Sequence, residues 1–355
     1  MTLNAYAVFA VWCCAIRAVL GGLVTVWAAA AARRWKSSGV EANRAALEDR
    51  YYLLFLLAII LLGMVCLAWP LYYLVLASYV PSWPGAMCIY GITQIGRGSL
   101  GSSRVLPSLV GALEVLKPAV VFVWGLWFIT YFANRRTTTA PLTGRVFRLL
   151  ALLGFFAVGE AVTESAWLLI PKQESFINSG CCTVAPQSRT VSASIAPMWK
   201  EPGATAAITV LHGGLVLALI LAIGSAARGR SSMGEQGTWK RRAMQRALPA
   251  GALAVLASGI VFLGQTAAPW LMGLPHHRCL YCLLATRPET CVAVLALVFG
   301  CFMIGWAAAL THWTGQVASH RAAMIAWQDR LRDASRACLG GYALMISWQI
   351  VLERW

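Results

Sequence analysis

Long apolar runs separated by short polar segments make up most of the chain. A membrane-spanning helix needs about 20 mostly apolar residues, and eight segments reach that length. They predict an all-α fold, a polytopic transmembrane helix bundle in which residues 1–355 form a single integral membrane domain. The predicted spans are residues 5–31, 51–78, 107–133, 146–170, 205–227, 247–273, 288–312 and 335–352.

The basic residues between these runs predict the orientation. Of the 29 lysines and arginines, 19 lie in the loops after the first, third, fifth and seventh spans or at the adjoining span ends, and seven lie in the alternate loops. Because loops rich in lysine and arginine stay in the cytoplasm, we expect both termini to be extracytoplasmic. The first apolar run lacks a preceding basic segment and is too long for a cleavable signal peptide, so it is expected to be a retained span.

The composition agrees with a membrane protein. Hydrophobic residues make up 59% of the chain and charged residues 12%, whereas soluble domains carry about 25% charged residues. The net charge of +16 is spread over loop clusters and forms no basic stripe interleaved with aromatic residues, so no nucleic-acid partner is expected. The predicted partner is the lipid bilayer. The chain also lacks the glycine-rich phosphate-binding and dinucleotide-binding motifs.

Five of the eleven cysteines lie in the loops predicted to be outside the cytoplasm. They are Cys88 in the first loop, Cys181 and Cys182 in the second, and Cys279 and Cys282 in the third. Structural disulfides are one interpretation, because an oxidising compartment permits them. The protein would then be a non-catalytic subunit whose braced loops dock a periplasmic or membrane protein partner. Since five is odd, at least one thiol is left over or the group has another role.

The Cys279-Leu-Tyr-Cys282 segment favours redox chemistry. Two thiols at this spacing can close a small ring and alternate between the dithiol and the disulfide. The sequence therefore predicts Cys279 and Cys282 as a catalytic redox pair, with Cys88, Cys181 and Cys182 as its partners.

A metal site is the alternative for the same segment. His276-His277-Arg-Cys279-Leu-Tyr-Cys282 places four nitrogen and sulfur ligands within seven residues. With Cys181, Cys182 or Cys88 added, these ligands suit zinc, copper(I) or an iron–sulfur cluster. On this interpretation the protein binds or transports a soft metal ion.

Ionisable residues inside the predicted spans point to function or to buried pairing, because charges are costly in lipid. Glu160 and Glu164 lie one turn apart on one face of the fourth span and suit proton uptake or release, or cation coordination. In a redox protein we expect them to handle the accompanying protons. Glu114 and Lys117 have the spacing of a pair on one helix face. His212, Gln265 and the deeper Arg17 are further polar residues within spans.

The segment Cys279-Leu-Tyr-Cys282-Leu-Leu, placed outside and just before a membrane helix, resembles the active-site pair of the vitamin K epoxide reductase and DsbB-type thiol oxidoreductases. The resemblance implies a quinone in a helical bundle facing Cys279 and Cys282, and Cys181 with Cys182 or Cys88 passing electrons from substrate thiols. We therefore expect a membrane redox protein of a bacterial inner membrane, with the cysteine loops on the periplasmic side. It would transfer electrons between thiols and a quinone, or serve as a subunit of an electron-transfer complex.

Overall fold

The computed structural model describes residues 4–37, 42–83, 86, 88–96, 101–136, 142–172, 202–232, 238–274, 277–314 and 321–352. These ranges contain α-helices and no strand, which confirms the all-α fold. Seven of the described helices are long and apolar enough to cross a membrane. The chain divides into two compact units, Met1–Asn178 and Ser179–Trp355. That both units belong to one membrane domain stays a prediction.

The described residues of the first unit form four long α-helices and one short one. They are α1 (Ala5–Ser37), α2 (Ala42–Tyr79), α3 (Ile89–Thr93), α4 (Leu106–Arg135) and α5 (Thr143–Leu169). Helix α1 packs along α5 and α2, and α5 also packs against α4. The helices α1 and α5 approach closely at Gly21 and Gly154, because small residues let two membrane helices bring their backbones together.

In the part of the second unit that the structure describes there are four long α-helices and two short ones. They are α6 (Pro202–Ser232), α7 (Thr238–Phe262), α8 (Ala268–Leu271), α9 (Leu280–Thr286), α10 (Pro288–Thr314) and α11 (Arg321–Leu352). Helix α10 packs along α11, and α7 packs against α6 and α10. Buried apolar side chains from all four long helices form the core, among them Val216, Leu263, Leu297 and Leu339.

Between α7 and α8 the chain forms a π-helical turn over Leu263–Ala267. Such a turn bonds each N–H to the carbonyl five residues back, so it holds one residue more than an α-helical turn. All five residues are buried, including the polar Gln265 and Thr266. A Cβ added to Gly264 would stand 4.0 Å from the carbonyl oxygen of Arg278, so the π-turn lies beside the segment that leads to Cys279.

The eighth predicted span, residues 335–352, is helical as the C-terminal part of α11, but α11 is not among the seven apolar helices. The physical reason lies in its composition. Arg336 and Gln349 interrupt the apolar run, and Arg330, Arg332 and Asp333 precede it. The side of the membrane on which either terminus lies stays a prediction.

Candidate functional site

The two cysteines of the Cys-x-x-Cys segment come together at the start of α9. Gly273 turns the chain after α8 with φ +64°, a left-handed conformation that glycine adopts without steric cost. Cys279 is the extended residue that precedes α9, and its carbonyl accepts a 3.0 Å hydrogen bond from the Leu283 amide. Cys282 follows within the first turn, and the two Sγ atoms lie within 4.8 Å of each other. Cys279 is buried and Cys282 is half-buried.

Several contacts of the second unit fix the position of α9. The Arg287 side chain donates through Nε to the carbonyl of Leu271 at 3.1 Å, which ties the end of α9 to the end of α8. Thr286 Oγ1 donates to the carbonyl of Cys282 at 2.8 Å. Cys291, in the first turn of α10, contacts the Leu284 carbonyl through Sγ at 3.7 Å. The segment that carries the cysteine pair is therefore held from both of its neighbouring helices.

The other residues predicted for the redox or metal site lie partly outside the described residues. Cys181, Cys182 and His276 lie outside the described residues. His277 is described, and its buried Nε2 atom has no hydrogen-bond partner among the described residues. Cys88 lies in the first unit, where it precedes α3 as a buried residue. The nine cysteines that the structure describes form no disulfide among themselves.

Glu160 and Glu164 belong to a buried charged ring in the first unit, formed with Arg17 of α1 and Lys117 of α4. Arg17 donates through Nη1 to Glu160 Oε1 and through Nη2 to Glu164 Oε2, both at 2.9 Å. Lys117 Nζ lies 2.8 Å from Glu160 Oε1 and 3.0 Å from Glu164 Oε2. Each cation thus bridges both carboxylates, so the charged ring is closed and its formal charges balance.

The charged ring differs from the pairing that the sequence suggested. The sequence predicts Glu114 as the partner of Lys117 on one face of α4. In the structure Lys117 forms its ion pairs with Glu160 and Glu164 of α5, and Glu114 is exposed. Arg17 and Glu160 are both 0% exposed. Two cations within hydrogen-bond distance of two carboxylates offset the cost of placing charges in an apolar interior. The proton-handling role of Glu160 and Glu164 stays a prediction.

Aromatic side chains extend from the charged ring along α2 and α5. Lys117 Nζ stands 4.9 Å from the centre of the Tyr72 ring, and Tyr72 packs edge-on against Trp167 with centroids 6.2 Å apart. Trp167 makes the same contact with Tyr79. At the far end, Lys172 Nζ lies 4.4 Å from the centre of the Trp167 ring and donates to the Trp167 carbonyl at 2.8 Å. Lys172 thereby caps the C-terminus of α5.

A third polar group lies in the second unit and includes His212. Its Nδ1 atom is 2.9 Å from Ser258 Oγ on α7, and its Nε2 atom is 2.8 Å from the hydroxyl of Tyr342 on α11. Phe262 stacks on the imidazole, with ring centroids 4.9 Å apart. Of these residues the sequence indicated only His212. Hydroxyl side chains in apolar helices commonly form hydrogen bonds with the backbone of their own helix, so Ser258 did not stand out as a functional residue.

Comparison with known proteins adds no relative to this description. No family model matches the chain, and neither the curated proteins nor the solved structures include a similar one.

Proposed function

We propose that the protein is an integral membrane thiol–disulfide oxidoreductase in which Cys279 and Cys282 are the redox pair. The observation that supports this most directly is the approach of their Sγ atoms to within 4.8 Å at the start of α9. A disulfide requires a sulfur–sulfur distance of about 2.05 Å, and side-chain rotation can provide that closure without moving α9. Cys282 is half-buried, so a substrate thiol or an electron acceptor can reach it.

The proposed reaction conserves atoms and charge. The two thiols lose two electrons and two protons and join as a disulfide, while a quinone gains the same electrons and protons and becomes a quinol. The local resemblance to the vitamin K epoxide reductase and DsbB-type enzymes supports a quinone as the acceptor. The proposed direction in the cell is from substrate thiols through Cys282 and Cys279 to the quinone.

The experiment is a redox titration of the purified protein followed by peptide mass spectrometry. In oxidised protein, the peptide that contains Cys279 and Cys282 is expected to be two hydrogens lighter than in reduced protein. Adding a short-chain quinone to the reduced protein should form the disulfide and one equivalent of quinol. Cys279→Ser and Cys282→Ser should each abolish quinol formation, whereas Cys66→Ser, which changes an exposed cysteine of α2, should not.

The result that contradicts the proposal is a pair of thiols that stays reduced at every potential and with every quinone tested. The same holds if both serine variants form quinol at the wild-type rate. We also propose that α9 faces the periplasm of a bacterial inner membrane. A membrane-impermeant maleimide should then label Cys282 in spheroplasts before lysis, and labelling only after lysis would place α9 on the cytoplasmic side.

A metal site is the second candidate, and one observation favours it. His277 Nε2 is buried, and no described residue forms a hydrogen bond with it; a neutral imidazole nitrogen is a common ligand of zinc or copper. Two thiolates on one zinc ion lie about 3.8 Å apart, a separation compatible with the 4.8 Å limit for Cys279 and Cys282. Elemental analysis should find about one zinc, copper or iron per chain, lost in Cys282→Ser. Protein without stoichiometric metal removes this candidate.

A further inference from the structure

Ser258, His212 and Tyr342 have the arrangement of a nucleophile, a base and a group that orients the base. Ser258 Oγ and His212 Nδ1 are 2.9 Å apart, and His212 Nε2 is 2.8 Å from the Tyr342 hydroxyl. A nucleophile within hydrogen-bond reach of a base that is itself held by a third group is the diagnostic geometry of covalent catalysis. The three residues come from α7, α6 and α11, so no single helix produces this arrangement.

The hydrogen bonds of Ser258 and His212 allow Nδ1 of the histidine to be unprotonated, as a base must be. The Ser258 hydroxyl has two acceptors within reach, the Val255 carbonyl at 3.1 Å and His212 Nδ1 at 2.9 Å. When its hydrogen points to His212, the imidazole carries its own proton on Nε2 and donates it to Tyr342. Rotation of the serine hydroxyl and the matching histidine tautomer thus prepare Nδ1 as the base.

Ser225 on α6 is an internal comparison. Its hydroxyl donates to the Ala222 carbonyl at 2.9 Å, the same bond to the preceding turn that Ser258 makes with Val255. Ser258 adds a histidine at hydrogen-bond distance. That histidine is what separates the two serines chemically.

The surroundings define the class of substrate. Ser258 is half-buried and lies between exposed Ala257 and buried Gly259, at the edge of the apolar outer surface of α7. Phe262 stacks on His212, and the Gly259 Cβ position would be 3.4 Å from His212 Cε1, so the imidazole is enclosed by apolar and small groups. A substrate that reaches Ser258 from the lipid phase must itself be uncharged and lipid-soluble.

We propose that Ser258, His212 and Tyr342 form a second site that transfers the acyl group of uncharged, lipid-soluble carboxylic esters. Ser258 Oγ attacks the ester carbonyl, and its proton passes to His212 Nδ1 and then to the leaving alkoxide. The acyl group stays on Ser258 until a hydroxyl group, from water or from a membrane alcohol, takes it and restores the serine. Tyr342 is a positioning residue that holds the histidine tautomer. This activity is independent of the cysteine pair.

The test uses purified full-length protein and an alkyl fluorophosphonate, which reacts with activated serines. Peptide mass spectrometry should find the label on Ser258 and not on Ser225. Labelling should disappear in Ser258→Ala, persist in Ser225→Ala, and slow about 100-fold or more in His212→Gln, because a general base contributes about 10²–10⁴-fold. Gel filtration of each variant verifies the fold. Unlabelled Ser258 in wild-type protein, or equal labelling in His212→Gln, overturns the proposal.

Turnover of p-nitrophenyl octanoate distinguishes the acceptors. If octanoic acid is the product, water is the acceptor of the acyl group. If octyl octanoate forms after octanol is added, a membrane alcohol is the acceptor. No turnover of the ester by fluorophosphonate-reactive protein also overturns the acyl-transfer assignment. Tyr342→Phe should lower the rate and shift its pH profile, since the histidine loses the partner that orients it. An unchanged pH profile in this variant overturns the role given to Tyr342.

Discussion

Gly21 and Gly154 bring the backbones of α1 and α5 into direct contact. A Cβ on Gly154 would stand 2.5 Å from the Gly21 carbonyl oxygen, and a Cβ on Gly21 would stand 2.9 Å from the Gly154 carbonyl oxygen. Real Cβ atoms do not approach carbonyl oxygens this closely, so any larger residue forces the two helices apart. Arg17 of α1 and Glu160 of α5 belong to the same two helices, and this contact therefore supports the charged ring.

Gly154→Ala is expected to destabilise the first unit by about 1–3 kcal/mol, the usual cost of forcing extra volume into a packed interior. The matched control is Gly159→Ala on the same helix, where an added Cβ meets nothing within 4 Å. Thermal unfolding of purified protein measures both variants. Equal melting temperatures for the two variants would contradict the close contact.

Lys117→Met should destabilise the protein strongly, because it leaves the charged ring with an unbalanced buried carboxylate. Breaking a buried ion pair by removing one partner costs about 3–5 kcal/mol. Adding Glu164→Gln restores the charge balance, so the double variant should be more stable than Lys117→Met alone. A double-mutant cycle on the free energy of unfolding measures this coupling. Asp333→Asn, which breaks an exposed pair with Arg336, should cost less than about 1 kcal/mol.

The stability of the first unit should depend on pH through Lys172. Burial lowers the pKa of Lys172 from 10.5 to about 8, although the carbonyls at the end of α5 favour the ammonium form. Between these two values the unfolded chain binds the proton that the folded chain has released, so the contribution of Lys172 to stability rises from pH 8 to pH 10.5.

The measurement is the difference in melting temperature between wild-type protein and Lys172→Met at pH 7 and pH 9.5. The melting temperature of the wild type should rise relative to that of the variant at the higher pH. A difference that stays constant over this range would show that burial leaves the lysine unaffected.

Asn134 should be essential for the junction between α4 and α5. Its Oδ1 atom accepts a 2.7 Å hydrogen bond from the Leu142 amide, and its Nδ2 atom donates to Thr143 Oγ1 at 2.9 Å. Asn134→Ala leaves the buried Leu142 amide without this acceptor and is expected to cost about 1–3 kcal/mol in the free energy of unfolding. Thr143→Val removes the second bond but leaves the Leu142 amide its acceptor, so it should cost less. An equal or larger loss in Thr143→Val would contradict this assignment.

The sequence predicted the long helices because a run of apolar residues is a local property that needs no knowledge of neighbours. The bounds of α1 and α2 extend beyond the predicted spans, since helices continue into the polar boundary where the apolar signal ends. The weakest prediction was residues 335–352, where charged and amide residues dilute the run. That segment is helical but is not one of the seven apolar helices.

The candidate residues were predicted only where a motif is local. The spacing of Cys279 and Cys282 on one short segment is enough to indicate that their sulfurs can meet. The contacts of Arg17 and Lys117 with two carboxylates depend on how three helices pack, which no spacing along one helix reveals. The sequence did show acidic and basic residues within apolar helices, and buried charges need partners. Ser258 and Tyr342 gave no comparable signal.

The π-turn at Leu263–Ala267 divides the last membrane helix before the cysteine segment into two halves that face in different directions. One additional residue rotates everything that follows by about 100° around the helix axis. The half that contacts His212 and the half that leads to Cys279 can therefore pack against different neighbours, although both belong to one predicted membrane span. A substitution on one half does not change the direction that the other half faces. Deleting one residue within the turn would restore a regular α-helix and rotate the cysteine segment away from the contacts that now hold it.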